Sequence, residues 1–133
     1  MMFLITSDVP PAIVLSRVSI GPGTLILAQS YVGVDVTLGR ACLLSVDCMV
    51  GHDCTLGDYA HLTPGVRFGG NVNIGEESFV GLGAVVIPGV HIGRRVIIGA
   101  GAAVTRDLPD DVVAVGVPAR IVRSNTRREC QDA

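Results

Sequence analysis

The sequence predicts an all-β fold, a parallel β-helix of about five triangular coils followed by a short C-terminal extension. The main observation is an unbroken six-residue repeat of large apolar residues. Two other observations support it. A small or aliphatic residue lies four positions after each large apolar residue, and Gly directly follows the large apolar residue in ten of the sixteen hexads. The apolar positions are Val14, Ile20, Ile26, Val32, Leu38, Leu44, Val50, Leu56, Leu62, Phe68, Ile74, Val80, Val86, Ile92, Ile98 and Val104.

The spacing within each hexad decides where the side chains point. The apolar residue defines the first slot, and the fifth slot of the preceding hexad lies two positions before it. Both therefore point inward from the same strand, and the sixth slot between them points outward. Slots two to four form a corner, where we expect Gly to relieve the backbone. Three hexads make one coil, so residues eighteen apart stack at roughly 4.8 Å.

The repeat also divides the chain. Residues 1 to 13 precede it and contain Pro10 and Pro11, so we predict an N-terminal cap segment that covers the first coil. Residues 14 to 109 are the predicted β-helix domain. Residues 110 to 133 are the predicted terminal strand and tail, with the strand at Val112 to Val115 and a short helix or frayed tail from Arg120 onward.

Composition excludes several classes of function. The chain has 133 residues, 49% of them hydrophobic and only 4% aromatic, which suits one narrow prism of aliphatic side chains. A net charge of −2 argues against a nucleic-acid partner, and the absence of Lys excludes a lysine nucleophile. The first residues contain no basic region and only a short apolar run. We therefore expect no signal peptide, no membrane span and a cytoplasmic protein.

The cysteines predict a structural role. Cys42, Cys48 and Cys54 occupy consecutive fifth slots, so they point inward from the three faces of one coil as small buried thiols. Their spacing matches no common zinc motif, so we expect no metal.

The likeliest chemistry lies at one corner. His52 occupies a third slot and faces outward, Asp53 follows it, and Gly70 is stacked eighteen residues later. Asp53 would orient the His52 ring and increase its basicity, although an ordinary polar corner residue fits the same position. His61 lies in an outward sixth slot about half a coil further on. His91, also in a sixth slot, is expected to be structural.

A family resemblance adds to this interpretation. The run from Gly51 to Gly65 reads GHDCTLGDYAHLTPG, and a second glycine-rich run from Gly69 ends in GVPAR at Arg120. Together they resemble the catalytic half of sugar O- and N-acyltransferases, namely sialic-acid O-acetyltransferase-like proteins and bacterial acetyltransferases of UDP-amino-sugars. The resemblance covers roughly residues 12 to 122.

The resemblance implies a left-handed β-helix, acetyl-CoA as cosubstrate, a sugar or nucleotide-sugar acceptor, and a homotrimer with sites between neighbouring subunits. It also implies that His52 is the general base, assisted by Asp53, and that His61 helps to bind acetyl-CoA. The pantetheine groove would be lined by Gly70, Leu82 and Ala100. Two features depart from the family: its N-terminal Rossmann-like domain is missing from this sequence, and Ser45 stands where many members carry Asn.

Two alternatives stay open at the level of sequence. A γ-carbonic-anhydrase-like zinc enzyme uses the same fold but needs three histidines that meet around zinc at a subunit boundary. A non-catalytic β-helix scaffold is the other alternative, because the sugar-holding domain is missing.

Overall fold

The computed structural model describes residues 9–126, and every helix or strand in that range is a β-strand. Sixteen strands of two residues follow the repeat, and each ends on a first-slot residue. They are β1 (Ile13–Val14), β2 (Ser19–Ile20), β3 (Leu25–Ile26), β4 (Tyr31–Val32), β5 (Thr37–Leu38), β6 (Leu43–Leu44), β7 (Met49–Val50), β8 (Thr55–Leu56), β9 (His61–Leu62), β10 (Arg67–Phe68), β11 (Asn73–Ile74), β12 (Phe79–Val80), β13 (Val85–Val86), β14 (His91–Ile92), β15 (Ile97–Ile98) and β16 (Ala103–Val104).

The strands form three parallel faces. Face 1 has the order β1-β4-β7-β10-β13-β16, and face 2 has the order β2-β5-β8-β11-β14. Face 3 contains β3, β6, β9, β12 and β15, and is continued by β17 (Val112–Val115) and β18 (Arg120–Ser124). Neighbouring strands in the repeat pair in register eighteen residues apart, as Val50 does with Phe68. The predicted parallel β-helix is therefore confirmed. We number its coils from β1 and name each corner by the two faces that it joins.

The core lies where the slot pattern predicts it. Every first-slot and fifth-slot residue from Ser30 to Leu108 is at most 7% exposed, whereas no sixth-slot residue in that range is buried. The first coil differs, since the first-slot residues Val14 and Ile20 are 42% and 46% exposed. The predicted covering of this coil by the N-terminal segment lies largely outside the described residues.

The corners correct one expectation about glycine. The left-handed backbone falls on the fourth slot, where Asp53 has a φ of 58°. The second-slot glycines are instead required by stacking: a Cβ on Gly51 would lie 2.8 Å from the backbone of Gly69 and Gly70 in the next coil. Asp and Asn tolerate the left-handed conformation better than most residues, which explains the fourth-slot residues Asp35, Asp47, Asp53 and Asn71.

The sixth coil is two residues shorter than the others. Leu108 bridges to Ile92 and Val113 pairs with Ile97, so the register falls from eighteen to sixteen residues. Strand β17 has the predicted bounds. The prediction of a helix or frayed tail from Arg120 onward is wrong for Arg120–Ser124, because the chain reverses after Gly116 and β18 pairs antiparallel with β17. Residues 127–133 lie outside the described range.

The outward side chains give the faces different characters. Face 2 is polar along its whole length, with Ser19, Thr37, Thr55, Asn73 and His91. Face 1 is mainly apolar, with Ile13, Tyr31, Met49, Arg67, Val85 and Ala103, and so is face 3, with Leu25, Leu43, His61, Phe79 and Ile97. Between residues 9 and 126, the structure has no helix long and apolar enough to cross a membrane.

Candidate active site

His52 lies at the 1–2 corner of the third coil, two residues after the end of β7. Its main chain is held by the next coil, since Asn71 N–H donates a hydrogen bond to the His52 carbonyl (2.9 Å). Its side chain is 59% exposed. The ring is thus anchored through the coil and remains accessible to a ligand.

Asp53 holds the ring from one side. Its Oδ2 lies 2.8 Å from Nδ1 of His52. Because a carboxylate only accepts hydrogen bonds, Nδ1 carries the proton and donates it to Asp53. A neutral His52 ring therefore has a free lone pair on Nε2, which is the nitrogen that a general base uses. Asp53 has the left-handed backbone of a corner residue and also forms a hydrogen bond with His52. Its role as a polar corner residue is therefore compatible with its predicted role of orienting the His52 ring.

Gly70 makes room for the ring itself. A Cβ on Gly70 would lie 2.4 Å from Nε2 and 2.6 Å from Cε1 of His52. The His52 ring therefore packs over the bare backbone of the next coil. Gly70 is expected to line the pantetheine groove, and the space where its Cβ would lie is taken by the His52 ring.

An ion pair joins the 1–2 corners of the first and second coils, below Asp53. Arg17 Nε and Nη2 donate to the two carboxylate oxygens of Asp35 at 2.7 and 3.0 Å. These hydrogen bonds lower the pKa of Asp35 and raise the pKa of Arg17. Asp35 thus pairs with Arg17, whereas Asp53 pairs with His52. Sequence reasoning missed this pair, although the spacing of eighteen residues between Arg17 and Asp35 could have revealed it.

His61 lies on another part of the prism. It points outward from face 3 and is half-buried, and its ring meets the edge of Phe79 at 86° with the centroids 5.0 Å apart. Since His52 projects from the 1–2 corner and His61 from face 3, one chain does not bring the two histidines together.

Leu82 and Ala100 stack in register at the 3–1 corner of the fourth and fifth coils. Both are exposed, Leu82 to 56%. The following residues, Gly83 and Gly101, have φ values of 65° and 69° and open space where a Cβ would lie. This corner is therefore a strip of small and apolar residues, next to the face that carries His61.

The remaining candidates have structural roles. Asn73 Nδ2 donates to Nδ1 of His91 (2.9 Å), in line with the structural role expected for His91. Cys42, Cys48 and Cys54 are buried, and burial raises the pKa of each thiol. Raised thiol pKa values disfavour the nucleophilic thiolate, so these cysteines fit no covalent acyl-enzyme.

No metal centre is visible in the part of the chain from residue 9 to residue 126, where no three His, Cys, Asp or Glu residues form a group that could hold an ion. The three histidines lie at the 1–2 corner, on face 3 and on face 2. The convergence that a three-histidine zinc site needs does not occur within one chain.

Comparisons with known proteins agree with this architecture. Residues 71–106 match the family described as the hexapeptide repeat of succinyl-transferase. No curated protein matches the sequence.

Solved structures match over most of the chain. PerB from Caulobacter crescentus, solved with CoA and GDP-perosamine, is 44% identical, with a TM-score of 0.84, over 85% of this chain and 55% of its own. The acetyltransferase domain of PglB from Neisseria gonorrhoeae is 34% identical, with a TM-score of 0.84 and coverage of 85% and 55%. This chain therefore spans about half the length of these two proteins.

A more distant match shows the fold alone. AntD, an N-acyltransferase from Bacillus cereus solved with dTDP and 3-hydroxybutyryl-CoA, is 19% identical, with a TM-score of 0.84 over 90% of this chain and 80% of its own. The comparisons together confirm that the chain is a left-handed hexapeptide-repeat β-helix of the kind found in sugar N-acetyltransferases.

Proposed function

We propose that the protein is an acyltransferase that moves an acetyl group from acetyl-CoA to an amine or hydroxyl of a sugar or nucleotide sugar. The observation that carries this proposal is the His52–Asp53 hydrogen bond, which leaves Nε2 of an exposed ring free. The ligands of similar proteins support it: PerB was solved with CoA and a nucleotide sugar, and the PglB domain also with acetyl coenzyme A.

His52 would act as the general base in a single displacement. The acceptor nitrogen or oxygen attacks the thioester carbonyl while its proton passes to Nε2. A backbone N–H or His61 stabilises the developing oxyanion. When the carbon–sulfur bond breaks, the protonated Nε2 of His52 returns the proton to the sulfur, and CoA leaves as the thiol. Asp53 keeps the ring in the required tautomer and orientation. No acyl-enzyme is needed.

The arrangement of the faces favours a shared site in a homotrimer. Face 1 is flanked by the 1–2 corner, which carries His52, and by the 3–1 corner, which carries Leu82 and Ala100. If three copies turn their apolar face 1 toward a common axis, the 1–2 corner of each copy meets the 3–1 corner of the next. His52 of one copy would then face the small-residue strip of its neighbour, with His61 close by. This closure would unite the residues that one chain keeps apart.

The two alternatives receive less support. The scaffold hypothesis does not explain why the His52 ring forms a hydrogen bond with the Asp53 carboxylate and packs over Gly70. The zinc hypothesis needs a third histidine beside His52 and His61 at the subunit boundary, and His91 lies on face 2, away from the face that the proposed trimer turns toward its axis. A cytoplasmic location remains a prediction.

Substitution of His52 tests the proposal directly. We expect His52→Ala to lower kcat by roughly 10² to 10⁴ on an amino-sugar acceptor, the usual range for positioned acid–base catalysis, with little change in acetyl-CoA affinity. Asp53→Asn should fall between this variant and wild type, because it removes only the group that orients the ring. His61→Ala should chiefly weaken acetyl-CoA binding. Thiol release and calorimetric titration measure the two effects.

The acceptor must first be found with the wild-type protein, by screening nucleotide-linked amino sugars and free sugars for thiol release. His91→Ala is the matched control, since it removes a histidine from face 2 and should leave kcat near wild type. Near wild-type turnover of His52→Ala on a validated acceptor would show that the base is elsewhere. Failure of the wild-type protein to bind acetyl-CoA would support the scaffold hypothesis instead.

A further inference from the structure

The starting observation is a column of charged side chains at the corner that carries His52. Arg17, Asp35 and Asp53 occupy the fourth slot of three successive 1–2 corners and have φ values of 56°, 59° and 58°. Residues in the same slot of successive coils stack at roughly 4.8 Å, so the main chains of Asp35 and Asp53 are about one strand spacing apart. One cation and two carboxylates therefore lie in line beside the candidate base.

The two carboxylates have different partners. Asp35 accepts two hydrogen bonds from Arg17, one from Nε at 2.7 Å and one from Nη2 at 3.0 Å. Asp53 pairs with Nδ1 of His52 at 2.8 Å. The hydrogen bonds with Asp35 are the main cause of the raised pKa of Arg17, and the charge of Asp53 adds to it. Arg17 thus offsets the charge of Asp35 and is close enough to interact with Asp53 as well.

The exposure of the pair separates its electrostatic effect from folding. The side chains of Arg17 and Asp35 are 69% and 39% exposed. Exposed ion pairs contribute little to the free energy of unfolding, so removal of this pair should leave Tm nearly unchanged. A single charge a few ångströms from an ionisable ring still changes how readily the ring is protonated, because the interaction is weakened only by distance, solvent and salt.

We propose that Arg17 is a positioning residue that acts through Asp35 on the His52–Asp53 pair. By offsetting the charge of Asp35, Arg17 leaves the ring with a single carboxylate partner. The neutral form of the ring, which acts as the base, is then not lost to the attraction of a second negative charge. This inference rests on the proposed function, because it takes His52 as the base.

The other groups around His52 are neutral or paired. The adjacent coils contribute four uncharged residues to this corner besides Asp35, namely Gly33, Val34, Gly70 and Asn71. On face 1, Arg67 pairs with Asp47. In the proposed trimer, the neighbouring copy would add its own Arg67–Asp47 pair and its His61 to the groove. Substitution of Arg17 or Asp35 leaves all of these groups in place, so the comparison isolates the column.

The pH dependence of kcat/KM tests the inference with two single variants and their combination. Arg17→Gln leaves the charge of Asp35 without a counterion, which favours the protonated ring. The midpoint of the profile should therefore move up by about half a pH unit at low salt, and less at high salt. Asp35→Asn leaves the charge of Arg17 without a counterion and should move the midpoint down. The double variant Arg17→Gln/Asp35→Asn removes both charges and should restore the wild-type midpoint.

Two further variants serve as controls. Arg17→Lys keeps the charge and should stay near the wild-type profile. Arg95→Gln is the matched control, because Arg95 binds Asp111 through the same two atoms, at 2.5 and 3.0 Å, but at the 2–3 corner. It should leave the midpoint unchanged. A merely structural role for Arg17 would lower kcat/KM at all pH values without opposite shifts in the two single variants, and that result would overturn the inference.

NMR of the His52 ring separates the inference from the proposed function. The Cε1–H signal, assigned by its loss in His52→Ala, follows protonation of the ring without acceptor or cosubstrate. Its midpoint should move in opposite directions in Arg17→Gln and Asp35→Asn. Equal midpoints in wild type and both variants would overturn the inference and leave the proposed function intact. Wild-type protein that releases no thiol with any acceptor would remove the proposed function, whereas the ring titration would still show the opposite shifts.

Discussion

Hydroxyl groups in the fifth slot tie neighbouring coils together. Ser78 Oγ donates to the carbonyl of Gly93 (3.0 Å) and accepts from the N–H of Val96 (3.0 Å). Ser30 makes the same pair of bonds with Ser45 and Cys48. No buried side-chain nitrogen or oxygen in the described part of the chain is left without a partner. Small polar residues are thus admitted to the core because each satisfies a backbone group of the adjacent coil.

At the same scale, Gly70 should be needed for the position of His52 rather than for stability. The Cβ of Gly70→Ala would displace the His52 ring, which is exposed and able to move, so we expect kcat to fall about 10- to 100-fold with little change in Tm. Gly69→Ala is the matched control: its Cβ would lie 2.7 Å from the ring of Pro88 and away from His52. That variant should lose Tm and keep kcat. The opposite pattern would show that Gly70 has no positioning role.

The elements of this fold have no stability of their own. A strand of two residues gains its stability from the identical slot one coil above and below, which is why the period, and not local propensity, predicts the structure. The predicted slots were correct from Ser30 to Leu108. The period could not predict β18, because Arg120–Ser124 pairs antiparallel with β17 and lies outside the repeat.

The slot assignment predicts the effect of a charge in each element. Val80 is fully buried in β12, so Val80→Asp would place an unpaired carboxylate in the core and should cost several kcal/mol or more, enough to unfold the prism. Thr55 points outward from β8, and Thr55→Asp should cost about 0.5 kcal/mol or less. Thermal unfolding compares the two, and similar Tm values would mean that the inward and outward slots are assigned incorrectly.

For the whole molecule, the sequence predicted which residues carry the candidate chemistry but not how they meet. His52, Asp53 and Gly70 could be placed together because stacking at eighteen residues is a property of one chain. His61, Leu82 and Ala100 lie on a different part of the prism, and no intrachain rule brings them to His52. The repeat is regular along the axis, so the proposed site would depend on how copies of the chain pack against each other.

The trimer is therefore the prediction that joins the two halves of the site. Light scattering should show three chains at micromolar concentration for the wild-type protein. Val85 lies on face 1 and is 39% exposed in the isolated chain. Val85→Glu should therefore place three carboxylates near the proposed axis and dissociate the trimer. The Tm of this variant should then be largely that of the single prism. The monomer would retain His52 and Asp53 but lose activity and most acetyl-CoA affinity, since the opposite wall of the groove is absent. Thr37→Glu on face 2 is the matched control and should remain trimeric and active. A wild-type monomer, or a Val85→Glu monomer with full activity, would place the complete site within one chain.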